Sequence, residues 1–306
     1  MAAAAGAWAQ TYPARAVRLV VPFPAGSQTD LVARLIGQQL QDALGKPFVV
    51  ENKPGAAGAI AASAVATSAP DGYTLLVTTA AIQAANVSLI RKLSYDPVKD
   101  FAPVARLANT SMMLMVRPDF PATSLDGFLA HVRAQPGKLS AGYGSPGAQV
   151  ALAMLKQLGR LETVDVPYKG IPQAATDLIG GTLAFTFVDV GNAVAQARGG
   201  RLRPLGVTSA ERAGQAPDVP ALGEVLRGFE VSSWYGLAAP AGTGAEAVAV
   251  LNAAVARILA QPDVREKFLA IGTSVAPMAA EPFGAFIRAE IDNWARMVKM
   301  ADIKPE

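Results

Sequence analysis

Val17-Arg-Leu-Val-Val-Pro-Phe-Pro-Ala-Gly-Ser-Gln-Thr-Asp30 holds a strand, a glycine-bearing turn and the start of a helix in one short run. Val17 to Pro22 alternates and is rich in β-branched residues, which predicts a strand. Pro24 to Asp30 predicts a loop. Beyond it Leu31, Val32, Leu35, Ile36, Leu40 and Leu44 recur at helical spacing, and Gly45 closes the helix. Phe48 to Val50 reads as a second strand, and Pro54-Gly-Ala-Ala-Gly58 leads into an alanine-rich helix. Asp71-Gly72 is a turn before a third strand over Tyr73 to Val77. Strands that alternate with helices in this way predict an α/β fold with parallel sheets.

The rhythm restarts later without any sequence repeat. Strands are expected over Met112 to Val116, Leu139 to Tyr143, Val164 to Pro167, Leu183 to Asp189, Arg203 to Val207 and Val231 to Ala239. Helices are expected over Leu125 to Ala134, Val150 to Leu158, Ala245 to Ala260 and Pro282 to Val298. In the last helix Phe283, Phe286, Ile287, Ile291 and Trp294 stand at helical spacing as core anchors. This layout predicts two lobes: 12–112 with 236–306, and 113–235. The chain would cross near Ser111 to Arg117 and return near Val231 to Ala239, and two such crossings make a hinge.

Composition narrows the function classes. The chain has 306 residues, about half of them apolar and 17% charged, so a sizeable core can form. Its net charge is +3, with the basic residues scattered rather than clustered, so no nucleic-acid face is expected. With no cysteine, thiol catalysis, cysteine metal sites and disulfides are excluded. The single histidine, His131, stands in a polar stretch and reads as a surface helix residue. No uninterrupted apolar run reaches the roughly 20 residues that span a bilayer. Residues 1–11 read as the remnant of an export signal, because Ala7-Trp8-Ala9 is an A-x-A cleavage pattern.

Two segments share the construction strand, glycine turn, helix: Pro22 to Asp30, and Ala141-Gly-Tyr-Gly-Ser-Pro-Gly-Ala-Gln149. The first turn of each helix offers unpaired N–H groups, and the helix dipole favours an anion there. Ser27 or Thr29, and Ser145 ahead of Pro146, suit the capping positions. One such turn is the default of a tight βα connection. Two of them, one per lobe and both at carboxyl ends of strands, predict a cleft that holds an anion and could grip a dicarboxylate from both sides.

Other motifs carry less. Asn52 to Gly58 has neither dinucleotide-fingerprint nor P-loop spacing, and Tyr143-Gly-Ser-Pro-Gly147 lacks the first glycine of a nucleophile elbow. No His/Asp/Glu cluster has metal-ligand spacing. No catalytic residue, metal or cofactor is expected. Asp189, at a predicted strand end, either binds a donor on the ligand or caps the following helix. Asp30 and Arg34 are one helical turn apart and pair. Thr78 and Thr79 end the third strand and offer hydroxyls.

Several motifs in series carry a resemblance: Val20 to Arg34, Val50-Glu-Asn-Lys-Pro-Gly-Ala-Ala-Gly58, Ala69-Pro-Asp-Gly-Tyr-Thr-Leu-Leu76, Tyr95 to Val104, Val166-Pro-Tyr-Lys-Gly170 and Ala216-Pro-Asp-Val-Pro220. From about Tyr12 to the C-terminus the chain resembles the Bug family, the tripartite tricarboxylate transporter substrate-binding receptors. The resemblance implies a type II periplasmic binding-protein fold, with a cleft between two Rossmann-like domains joined by two crossing strands. It implies a small carboxylate ligand: a di- or tricarboxylate, an amino acid or an aromatic acid. It also implies permease subunits as partners and a periplasmic location, with a monomer as the default. The family's contacts carry onto Phe23, Ala25, Gly26, Ser27, Gln28, Thr29, Asp30, Thr78, Thr79, Ala81, Gly144, Ser145, Gly147, Ala148, Gln149 and Asp189.

Three departures stand out. Ala25-Gly26 replaces a double glycine, Thr79-Ala-Ala-Ile-Gln-Ala-Ala85 lacks the family's histidine or asparagine-proline pattern, and Ala148-Gln-Val-Ala-Leu152 lacks a polar run before His-Leu. The last two remove polar side chains and imply a less hydrophilic ligand than citrate or aspartate, such as an aromatic or longer aliphatic acid. A sensor for a membrane kinase would use the same clamp. A bilobal enzyme is the remaining alternative, with no evident acid–base pair or nucleophile.

Overall fold

The computed structural model describes residues 12–305, so the export-signal reading of residues 1–11 lies outside the described residues. The first run of elements is β1 (Val17–Val21), α1 (Gln28–Leu44), β2 (Phe48–Asn52), α2 (Ala59–Ala66) and β3 (Thr74–Thr79). A π-helical turn, Ala81–Ala85, then runs into α3 (Asn86–Leu89), and β4 (Phe101–Thr110) follows. The second run is β5 (Met112–Val116), α4 (Leu125–Arg133), β6 (Ser140–Tyr143), α5 (Pro146–Gly159), β7 (Val164–Pro167), α6 (Ile171–Ile179), β8 (Phe185–Asp189), α7 (Val190–Arg198) and β9 (Arg203–Val207). The chain closes with β10 (Ser233–Pro240), α8 (Ala245–Ala260), α9 (Pro262–Ala270), β11 (Ser274–Met278) and α10 (Ala280–Met300).

These strands form two sheets, ordered β11-β4-β10-β3-β1-β2 and β7-β6-β8-β5-β9. In the first, β1 lies parallel to both β2 and β3. The chain leaves β1 toward β2 on one side and then comes back across to β3 on the other. The second sheet does the same, with β6 parallel to β7 and β8. Such a reversal of direction opens a crevice beyond the carboxyl ends of the two strands, because their following helices diverge to opposite faces. Each lobe therefore has one crevice: beyond β1 and β3, and beyond β6 and β8.

The lobes are joined where β4 ends at Thr110 and β5 begins at Met112, and again where the chain enters β10 at Ser233. Met112 pairs with Asp189 in the second sheet, whereas Ser233 to Tyr235 pair with β4 in the first. Ser111 is pinned there: its carbonyl accepts from Val190 N–H at 3.2 Å and its hydroxyl accepts from Ser209 Oγ at 3.3 Å.

Local chemistry accounts for the helix ends that matter. Ser27 and Ser145 cap α1 and α5, Pro146 takes the first position of α5, and Gly45 ends α1 in the left-handed conformation at φ 69°. Helix α5 thus starts earlier than the expected Val150. No strand was expected over Phe101–Thr110; its Pro103 sits at a register shift opposite Ala238. Apolar burial holds the layers. Val32, Ile36 and Leu40 of α1 pack with Leu251 and Val255 of α8 on the first sheet. Phe128, Leu155, Phe185 and Phe187 form the core of the second, and the same cluster takes in Phe283, Ile287 and Trp294 of α10. Each such side chain contributes roughly 1.5–3 kcal/mol on burial. The C-terminal helix is thereby tied to both lobes.

Candidate functional site

The two crevices face each other and enclose a cavity of about 50 Å³. From the first lobe it is lined by Phe23, Ser27, Gln28, Thr29, Thr79, Ala81 and Tyr235. From the second come Gly144, Ser145, Gly147, Ile171 and Asp189. Thr110, Ser111, Met112 and Ser233 at the crossings and Trp294 of α10 complete it. No Lys or Arg is among the described residues that line it.

Two helix starts supply its polar wall. Ser27 Oγ accepts from Asp30 N–H at 3.4 Å, and Ser145 Oγ accepts from Ala148 N–H at 3.2 Å. The Ser27 N–H itself is satisfied by Pro24 O at 3.1 Å. First-turn N–H groups have no acceptor within their own helix. Gln28, Thr29 and Gly147 thus present backbone donors at the cavity wall, where the dipoles of α1 and α5 favour negative charge. Two of the lining residues also carry buried polar atoms with no partner among the described residues: Gln28 Oε1 and the indole Nε1 of Trp294. A buried group left so costs about 1–3 kcal/mol unless a ligand or water meets it.

Asp189 is the one carboxyl among the described residues that line the cavity. It is buried at the carboxyl end of β8, and its side chain makes no capping hydrogen bond to α7, so the capping role is not the one it plays. Burial pushes its carboxyl up to about 7, against which its own backbone N–H is the stabilising donor. Across from it the Tyr235 phenol is buried within hydrogen-bonding reach of Thr110 and Thr29; burial, and then the charge of Asp189, hold it well above the ordinary range.

Several expected contacts stand elsewhere. Asp30 points away from the cavity: its carboxylate accepts from Gly26 N–H at 3.0 Å, Asn52 Nδ2 at 3.0 Å and Arg34 Nε at 2.9 Å. Burial raises its pKa, but those bonds outweigh it and hold the carboxyl below the ordinary range. Asp30 is thus held within its loop and does not line the cavity. Ala25 and Gly26 are exposed on the loop's outer side. At φ 79° Gly26 provides the left-handed turn. Thr78 is fully buried behind the wall, and Ala148 is sealed beneath it. Gln149 faces a separate groove with Lys156 and the C-terminal segment from Ala301 to Lys304. His131, on α4, is bonded to Gln135 at 2.8 Å and stacks edge-on against Phe120.

The sequence reading missed Thr110, Ser111, Met112, Ile171, Ser233, Tyr235 and Trp294. Ser111, Met112, Ser233 and Tyr235 lay inside the expected crossings, and that was the available signal. Trp294 matched a core stripe and gave no sign that its edge reaches the cavity.

Glycines let the lobes meet at its rims. A Cβ on Gly170 would lie 2.8 Å from Pro24 Cδ, and one on Gly191 would overlap the backbone of Ile271 and Gly272. Gln28 Nε2 also donates to Ile271 O, beside this second rim.

Comparison with known proteins agrees with this architecture. Residues 32–303 match the family model described as tripartite tricarboxylate transporter family receptor. Protein BugT of Bordetella pertussis is 35% identical over 302 residues, which span 97% of this chain and 92% of BugT. A solved structure of an R. palustris protein with adipate superposes with a TM-score of 0.94 at 34% identity, covering 96% of this chain and all of that one. MatC from Rhodopseudomonas palustris with bound malate gives 0.85 at 36% identity, with 94% of this chain covered and all of MatC.

Proposed function

The chain belongs to the tripartite tricarboxylate transporter receptor family, and from that premise we propose that it is a periplasmic receptor which captures a linear dicarboxylate between its lobes. Delivery would be to the membrane subunits of a tripartite transporter. We take the lobes as the two sheets with their helices, divided at Ser111 and just before Ser233.

One observation carries the reading: the free first-turn N–H groups of α1 and α5 converge on one cavity from opposite lobes. A ligand with a carboxylate at each end satisfies both only when the lobes are together. Its binding then favours the closed state by the difference in contacts. Phe23, Met112, Ile171 and Trp294 line the space between with apolar surface, which suits methylene groups better than the hydroxyls of citrate. The protein would not turn its ligand over, since the wall pairs no nucleophile with a base.

A thermal-shift panel of mono-, di- and tricarboxylates, amino acids and aromatic acids tests this. Binding to the folded state alone raises the melting temperature in a dose-dependent way. Adipate and its near homologues are expected to give the largest rise, with the ligand recovered unchanged. A panel in which citrate or aspartate stabilises and no longer aliphatic diacid does would overturn the proposed ligand class.

A further inference from the structure

The receptor reading leaves an electrostatic conflict in the cavity. A dicarboxylate carries two negative charges, and Asp189 already places a carboxyl there with no cation among the described lining residues. Gln28 Oε1 adds a buried acceptor without a donor. Two carboxylates in one water-poor space do not both stay ionised; one proton comes to lie between them.

We propose that binding is coupled to the uptake of one proton, held between Asp189 and the nearer carboxylate of the ligand. The balance is simple: ionised receptor, dianionic ligand and one proton from solvent give a complex in which one carboxyl donates to the other. No bond to carbon is made or broken. The inference rests on the proposed function and deepens it, since it makes Asp189 a gate for ligand charge and makes affinity a function of pH.

The surroundings leave Asp189 as the group that titrates. The elements that meet β8 (β5, β6, α5, α6 and α7) and those that line the cavity across from it present, among the described residues, one other titratable side chain to the cavity, the Tyr235 phenol, which stays neutral. The Asp30–Arg34 pair of α1 is satisfied within its own loop. Burial, which pushes the Asp189 carboxyl up to about 7, means that the proton comes from solvent at pH 8 and is already in place at pH 6.

Adipate is a suitable probe, because both its carboxyls are ionised in solution above pH 7. Calorimetric titration at pH 8 in two buffers of different ionisation enthalpy reads the protons taken up directly. The expected count is close to one at pH 8, falling toward zero at pH 6. The dissociation constant is expected to rise about tenfold per pH unit between 7.5 and 9. Asp189→Asn, which keeps the shape, is expected to bind adipate with no proton uptake and no such slope. Tight adipate binding by the wild type with no proton taken up at pH 8 overturns the inference and leaves the receptor reading intact. So does tighter binding of 6-aminohexanoate than adipate at pH 8, because the ligand would then supply the donor. Absence of binding by every acid at every pH removes the receptor reading and this inference together.

Discussion

Asp189→Asn changes the stability of the ligand-free protein in a way that depends on pH, and the size follows from the buried carboxyl. Asp189 is held at about 7 against an ordinary 3.8, a rise of about three units. At about 1.36 kcal/mol per unit the full effect is on the order of 4 kcal/mol. The sign is set by proton count. Between pH 4 and 7 the folded state keeps the Asp189 proton while the unfolded state has lost it, so wild-type stability falls as pH rises through that window. Below pH 4 the contribution is fully present, and above 7 the loss is complete. Asparagine has no proton to lose. Urea unfolding at pH 4, 5.5, 7 and 8.5 is expected to show the variant gaining on the wild type by about 4 kcal/mol across the range. The other titrating groups are common to both proteins and cancel in the difference. Parallel stability profiles would refute the reasoning, because they would mean that Asp189 is solvated or paired in the folded state.

Other perturbations separate the parts of the account. Gly191→Ala puts a methyl into the backbone of Ile271 and Gly272, so it is expected to hold the lobes apart and weaken adipate binding at least tenfold; X-ray scattering should show that the variant does not contract with ligand. Asp30→Asn takes the charge from the buried acceptor of Arg34, Asn52 and Gly26 N–H and is expected to cost roughly 2–3 kcal/mol in urea unfolding at neutral pH. Because the Asp30 pKa is lowered, that deficit should shrink as pH falls through the folded-state value, below the ordinary carboxylate range. Ser145→Ala removes the cap of α5 and should destabilise by about 1 kcal/mol, with weaker adipate binding as a second readout. Trp294→Phe takes the indole N–H from the cavity wall and should abolish most of the tryptophan fluorescence change on adipate binding.

How much could be read from the residues alone follows from the range of the signals. The strand, turn and helix from Val17 to Leu44 were legible because alternation, a glycine turn, a serine cap and Gly45 all act within a few residues. The same holds for Ser145 and Pro146. Asp30 was legible in part: its pairing with Arg34 one helical turn on follows from spacing, while its further partner Asn52 comes from β2 and cannot be seen in local sequence. The strand Phe101–Thr110 holds Pro103, which local signals disfavour in a strand, and it is defined by its pairing with β10 and β11 from far along the chain. Tyr235 and Trp294 reach the cavity from distant parts of the chain. Their apolar bodies satisfy a core pattern, so spacing could not reveal that one edge of each faces the cleft. Gln149 lines a different groove, since one more residue along α5 turns the side chain away from the cavity.

The claim that two helix starts grip the ends of one linear diacid is tested most directly by a crystal structure of the protein grown with adipate. The expected density spans the cavity, with one carboxylate on the N–H groups of Gln28 and Thr29 and the other at Gly147 beside Asp189. Adipate bound outside the cavity, or lying within it with neither carboxylate at these helix starts, would contradict the account.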